Sequence, residues 1–412
     1  MMTRGHYTAF EDTHLVAALR TPFTDLNGVL GAISPTDLGI KVAKAILDLS
    51  GTPPTCVDSV IAGSVAQASF DAYLLPRHIG LYAGVPQEVP ALHTQRVCGT
   101  GFELLKQAAE QIALGQAKCV LCVGTESMTR NPIAAYTHRG GFKLGAQVDF
   151  KDFLWEALMD PAPNVSMIQT SDTLAQRYAI TREQVDAYAE RSFSLAVEAQ
   201  AQAILSADII AVKNETFSLP GYSDRSICLP RKIIRVDQDT HIRPSPRKVL
   251  NQLPPVYDDG VQTAGNSAAV VDGAAAALVM AGTHAAKSSL ARLRATAVVG
   301  VAPETMGIGP APAIRLLLER SGLTLNDIDR FEINEAQGAQ VLAVVRELDI
   351  DLTKLNVHGG AIAIGHPLAA TGLRLAMSLA RQLKRDGLRY GIAAACIGGG
   401  QGMAILLEHS AE

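Results

Sequence analysis

The chain has 412 residues, more than one ordinary hydrophobic core organises, so two domains or one duplicated domain are expected. Apolar residues make up 48% and charged residues 18%, with 35 Gly and 20 Pro, which excludes a largely disordered chain and suits many tight turns. The formal net charge of -4 gives no strong field of either sign and argues against nucleic acid or an anionic membrane surface as partner.

Met1 to Phe10 contains no apolar stretch of signal length, and no window reaches the roughly 18 apolar residues of a membrane span. Ser410, Ala411 and Glu412 do not form a peroxisomal address, so a soluble cytoplasmic protein is expected. The six cysteines, Cys56, Cys98, Cys119, Cys122, Cys228 and Cys396, are too sparse for a disulfide framework and are read as reduced thiols. Cys119 and Cys122 form a C-x-x-C inside the apolar run Ala117 to Gly124, which reads as a buried strand rather than a redox turn. No His or Cys cluster has zinc spacing.

In chain order, two blocks recur at one constant offset of 271 residues. Ser50-Gly51 and Val57 to Val60 match Ser321-Gly322 and Ile328 to Phe331, each a helix end leading into a strand. Thr100-Gly101, the helical stretch Phe102 to Leu114 and the strand Cys119 to Gly124 fall on Thr371-Gly372, Leu373 to Arg385 and Tyr390 to Ala395. Alternating strands and helices in each half imply mainly parallel, helix-covered sheets. Between about Thr129 and Asp259 the alternation stops, and Arg, Asp, Pro and amphipathic helices such as Thr181 to Ala203 mark an inserted loop domain. Thr181 with Glu183 and Gln184 comes near to a capping box, and Leu174, Tyr178, Val185 and Tyr188 supply a stripe read as core packing. The first half resumes at Gly260 to Met280, where Thr263 to Ser267 leads into the small-residue run Asp272 to Ala277. The expected division is 1-128 plus 260-283, an insertion at 129-259, and 284-412.

Four segments carry candidate chemistry at element junctions. Arg96 to Gly101 sets Cys98 immediately before a helix, whose N-terminal dipole is expected to favour thiolate. Gly359 to Pro367 brings His366 to the end of a glycine-rich apolar run, where it can serve a nucleophile as general base. Ala394 to Gly402 ends a strand at Cys396 and follows it with three glycines; these either expose N–H groups to a substrate or make a plain tight turn. Ile333 to Ala336 ends another strand, and Asn334 can orient a water or a carbonyl. Two cysteines and a histidine suit Claisen chemistry, which needs a nucleophile, an acid/base at the adjacent carbon, and two oxyanion sites.

Together these segments resemble the thiolase family, from Ala18 to Phe23 onward through Arg96 to Gly101, Gly124 to Met128, Thr263 to Asn266, Met306 to Pro310, Asn334 to Ala336, Gly359 to Pro367 and Cys396 to Gly402. The resemblance implies a duplicated five-layered αβαβα fold, a loop domain over the pantetheine arm, and a homodimer or homotetramer. It implies that Cys98 is acylated, His366 activates it, Cys396 moves the proton at the α-carbon of acetyl-CoA, and Asn334 holds a water. That water and His366 would form one oxyanion hole, the N–H groups of Cys98 and Gly398 the other. Substrate and coenzyme A contacts fall on Met167, Gly265, Ser267, Ala268, Met306 and Gln337, with acyl-CoA, acetyl-CoA and CoA as ligands and no metal or redox cofactor.

Thr137 to Gly141 resembles the loop some members use for tetramer contact. Departures cluster near the acyl and pantetheine positions. Gln337 stands where many members have phenylalanine, implying a more polar or differently shaped wall, and Ala268 and Ala269 stand where serine and glycine contact the pantetheine. Ser166-Met167-Ile168 replaces His-Met-Gly, His358 replaces asparagine, and Ala369 replaces a glycine. The basic run at Arg225, Arg231, Lys232 and Arg235 could meet phosphates or be solvated loop charge. A non-catalytic acyl-CoA-binding or scaffold subunit is the alternative from another class. A decarboxylating condensing enzyme is disfavoured by Cys396 in its glycine loop.

Overall fold

In the computed structural model, the described residues are 4–409 except 67, 137, 283–284 and 286–288. Nine strands run in one ribbon: β1 His14–Arg20, β2 Ser59–Gly63, β3 Ala91–His93, β4 Cys119–Glu126, β5 Val271–Met280, β6 Ala291–Gly300, β7 Arg330–Ile333, β8 Tyr390–Ile397 and β9 Gln401–Glu408. Their order is β7-β8-β9-β6-β1-β5-β4-β2-β3, with His6–Ala9 added to β6 and Thr24–Asp25 to β5. The order repeats about its centre: β2 and β4 pair in parallel, as do β7 and β8, while β4 with β5 and β8 with β9 are antiparallel. The expectation of mainly parallel sheets is corrected here, because β5 and β9 each return against the strand before.

The halves meet where β1 and β6 pair over only Leu15↔Ala291 and His14↔Arg292. Eight helices matter for the layers and the site: α1 Pro35–Ser50, α2 Leu75–Tyr82, α3 Thr100–Ala113, α4 Met167–Arg177, α5 Arg182–Ala201, α6 Pro310–Ser321, α7 Gly338–Leu348 and α8 Leu368–Asp386. Helix α1 covers the outer face of β1, β4 and β5, and α6 covers β6 and β9. Between them lie α3 and α8, with α8 touching β4 and β5 on one side and β7 and β8 on the other, which gives the five αβαβα layers.

Side-chain alternation assigns each strand face. Leu121, Val123, Ala274 and Ala276 join Leu38, Val42 and Ile46 of α1, while Val120, Cys122, Ala275 and Ala277 join Phe102 and Leu105 of α3. Cys119 and Cys122 therefore belong to opposite faces of a buried strand, as the apolar run implies. The small residues have a steric reason. A Cβ on Gly101 would lie 2.5 Å from the Leu373 nitrogen, and one on Gly372 would lie 2.4 Å from the Phe102 nitrogen, so α3 and α8 cross backbone to backbone.

Local signals hold at the helix ends. Gly51 and Gly322 cap α1 and α6 in the left-handed region, with φ 64° and 69°. Thr181 accepts from the Gln184 N–H in a full capping box that starts α5. The apolar stripe is corrected in one respect: Leu174 lies on α4 and Tyr178 caps it, so the stripe spans two helices. Of the loop that resembles a tetramer contact, Thr137 lies outside the described residues, as do Ser410 to Glu412.

Candidate active site

Four segments from both halves converge at the central layer. Cys98 is reached through Val97, a β-branched residue held at φ 42°, a strained conformation. Thr100 holds that turn: its hydroxyl donates to the Val97 carbonyl at 2.7 Å and accepts from the Arg96 N–H at 2.9 Å. His366 follows Gly365, whose φ of 110° suits only glycine and whose Cβ would strike Val271. The His366 N–H donates to the Ala269 carbonyl at 3.0 Å.

Asn334 continues the β7–β8 ladder by donating to the Ala394 carbonyl at 2.9 Å, and its Nδ2 lies 3.3 Å from His366 Nε2. On the other side His366 Nδ1 meets Thr371 Oγ1 at 2.6 Å. Because Asn334 Nδ2 can only donate, neutral His366 carries its proton on Nδ1, given to Thr371, and presents a lone pair at Nε2. Cys396, fully buried at the end of β8, packs with Met167, Met306 and Ala336. The backbone N–H groups of Gly398 and of Cys98 itself favour the charged form of the Cys98 thiol.

Electrostatics overturns one expectation. Burial pushes the Cys98 thiol up to about 11; the two N–H groups oppose this and the nearby Glu126 charge adds to it. The helix N-terminus therefore does not make a resting thiolate, because desolvation wins. Burial also pushes the Cys396 thiol well up, with Cys98 as a further cause. Burial, helped by the charge of Arg374, pushes His366 down to about 3. At neutral pH the resting groups are a thiol and a neutral imidazole that line one cavity.

The cavity beside Cys98 and His366 is lined by Met167, Ser267, Ala268, Met306 and Gln337, with Val97, Met128 and Leu368. Gly265 is not among its lining residues and packs against Leu250 and Leu253. A neighbouring groove shares Val97 and Met167 and includes Gly398 and Gly399. The three glycines turn the β8–β9 hairpin, and Gly398 and Gly399 line the neighbouring groove. Arg225 is engaged with Asp37 and Asp71, and Arg235 with Asp237, which leaves Arg231 and Lys232 exposed in the basic run. His358 lines a different pocket, with its Nδ1 3.3 Å from Gln382 Nε2.

Two buried carboxylates and Thr371 escaped the sequence reading. Glu126 accepts from the N–H groups of Val65, Ala66 and Ala369, tying the first half to the start of α8. Glu335 accepts from the Tyr188 hydroxyl at 2.8 Å, the Ser192 hydroxyl at 2.7 Å, Asn356 Nδ2 at 3.0 Å and the Ile362 N–H at 3.1 Å. The only available signal was their position inside the motifs Gly124 to Met128 and Asn334 to Ala336. Among the described residues no group of three or more His, Cys, Asp or Glu side chains is arranged to hold a metal, and no helix is long and apolar enough to cross a membrane.

The family descriptions "Thiolase, N-terminal domain" and "Thiolase, C-terminal domain" match residues 13–283 and 287–409. The chain is 40% identical over 402 residues to human mitochondrial 3-ketoacyl-CoA thiolase, covering 96% of this chain and 98% of that one. It is 37% identical over 400 residues to the 3-ketoacyl-CoA thiolase of Bacillus subtilis, with 96% and 98% covered. The crystal structure of the human mitochondrial enzyme in complex with CoA superposes with a TM-score of 0.91 at 39% identity, covering 99% of this chain and 100% of that one. Scaffold and matches together define an acyltransferase on a duplicated α/β frame. The chain belongs to the thiolase family.

Proposed function

We propose that the chain cleaves 3-ketoacyl-CoA with CoA to acetyl-CoA and a shortened acyl-CoA, and runs the reverse condensation when acetyl-CoA is in excess. The observation that carries the reading is that Cys98 and His366 line one cavity, with Asn334 against His366 and Cys396 packed on the cavity residues Met167, Met306 and Ala336. His366 Nε2 takes the Cys98 proton as sulfur attacks the keto carbon. The bond between keto and α-carbon breaks, and Cys396 protonates the departing acetyl-CoA enolate. The CoA thiol then gives its proton to the Cys396 thiolate and attacks acyl-Cys98, and the released Cys98 recovers its proton from His366. The Asn334 carboxamide, whose Oδ1 is buried without a partner among the described residues, holds a water that with His366 steadies one oxyanion. The N–H groups of Cys98 and Gly398 steady the other.

Chemistry so written needs no metal or redox group, and CoA enters as substrate. Residues 1-128 with 260-283 and 284-412 act as the two halves, and 129-259 as the cover over the pantetheine arm. A homodimer or homotetramer is supported by the open edge of β3 and by exposed Phe70, Tyr73, Phe142 and Leu144. Shortening of fatty acyl chains is the cellular role we assign, in keeping with the 3-ketoacyl-CoA thiolase names of the human and Bacillus subtilis relatives; the human one is named mitochondrial, and the Bacillus subtilis name carries no compartment.

The test is thiolysis of 3-ketoacyl-CoA esters of increasing length with free CoA, with acyl-Cys98 followed by mass spectrometry. Turnover with the adduct is expected. Neither signal, with CoA binding retained, would replace this reading with a non-catalytic acyl-CoA-binding subunit.

A further inference from the structure

The cavity beside Cys98 is walled largely by apolar side chains, among them Val97, Met128, Met306 and Leu368, yet one wall carries a polar pair. Gln337 is 6% exposed, and its Oε1 is buried with no hydrogen-bond partner among the described residues; the same holds for Ser267 Oγ. Gln337 occupies the N-cap position of α7 but makes no side-chain cap bond there. Its carboxamide therefore does not serve its own helix.

Backbone pairing sets the two side chains together. Ser267 and Gln337 oppose each other in an isolated antiparallel bridge, flanked by Ala268 N–H to Ala336 carbonyl at 3.0 Å and Gly338 N–H to Asn266 carbonyl at 2.9 Å. This is the non-hydrogen-bonded kind of pair, in which opposite side chains leave the same face at the closest spacing. Both line the cavity that Cys98 and His366 also line. Buried polar atoms without partners are costly, and a site that keeps two of them rewards a ligand able to satisfy both.

We propose that Ser267 and Gln337 form a recognition pair for a hydroxyl on the acyl chain, which makes this chain selective for hydroxylated 3-ketoacyl-CoA esters; the inference rests on the thiolase reading above. A hydroxyl is the simplest group that fits, because it donates to Gln337 Oε1 while accepting from the Ser267 hydroxyl.

The experiment compares kcat/KM for straight-chain 3-ketoacyl-CoA esters with counterparts bearing one hydroxyl at successive acyl carbons. It uses the full chain and the variants Ser267→Ala and Gln337→Met, the second nearly isosteric. At least one hydroxylated ester is expected to exceed its plain counterpart about tenfold or more, and each variant to collapse that ratio chiefly through KM. Plain esters cleaved with no hydroxylated ester preferred would overturn the inference and leave the thiolase reading standing. Variants that raise the KM for CoA and for every ester alike would also overturn it, by assigning the pair to pantetheine. No cleavage of any ester would remove both readings.

Discussion

The two halves of the scaffold share two strand pairs at one spacing, β2 with β7 and β4 with β8, but carry different side chains at the points that matter. Strands β4 and β8, Cys119–Glu126 and Tyr390–Ile397, match residue for residue, and Gly101 and Gly372 meet at the crossing of α3 and α8. At the same offset, however, Cys98 answers to Ala369, Cys396 to Thr125, His366 to Gln95 and Asn334 to Gly63. Duplication therefore builds a frame in which backbone symmetry is kept and reactivity is not. One half supplies the candidate nucleophile, while the other supplies the base, the second thiol and the amide. The small residues at the crossing are shared because they decide how closely the halves approach.

That division can be attacked from either side. The largest effect is expected from Cys98→Ser, since an alkoxide is far harder to generate than a thiolate: turnover should fall about a thousandfold or more and the acyl adduct should vanish. Retained turnover would show that the first half's cysteine is not the nucleophile. Cys396→Ala should separate the roles, leaving acylation of Cys98 measurable by mass spectrometry while abolishing hydrogen exchange at the α-carbon of acetyl-CoA; equal loss of both steps would contradict the assignment.

The shared frame breaks differently. Gly372→Ala drives a Cβ to 2.4 Å from the Phe102 nitrogen and should cost about 3 kcal/mol in denaturant unfolding. Gly115→Ala, where a Cβ meets nothing within 4 Å but φ is 69°, should cost only about 1 kcal/mol. Similar losses at the two positions would mean that the crossing has room to relax.

The last effect concerns pH. Burial, then the charge of Arg385, pushes His358 down to about 4 from 6.5, so below 6.5 the unfolded chain binds a proton that the native state refuses. Stability is thus present above about pH 6.5 and lost as pH falls toward 4, at up to about 1.4 kcal/mol per pH unit. His358→Asn should flatten that slope in chemical denaturation, and an unchanged slope would mean that His358 titrates freely in the fold.

Much of the frame was legible because it rests on local rules. The constant offset exposed the duplication, Gly51 and Gly322 marked helix ends, and Thr181 with Gln184 started α5. The candidate residues were legible as a cysteine before a helix, a histidine after glycines and a cysteine before three glycines. What sequence could not show was the balance of forces once they meet. Burial raises Cys98 against its helix dipole, Val97 takes a positive φ, and Thr371 fixes the tautomer of His366 from the next helix. Each depends on segments far apart in the chain, for which no local pattern exists. The returns of β5 and β9 were missed for the same reason, since an alternating pattern of elements does not reveal strand direction.

The carboxylate of Glu335 has a consequence for exchanging parts between relatives. It holds two hydroxyls of α5, from the insertion, together with the Ile362 N–H on the segment that leads to His366. Replacing the insertion with one lacking those two hydroxyls would strip this anion of half its donors one residue from Asn334. The cover and the chemistry must therefore be transplanted together, and a chimera that swaps only residues 129–259 should recover activity when Tyr188 and Ser192 are restored to it.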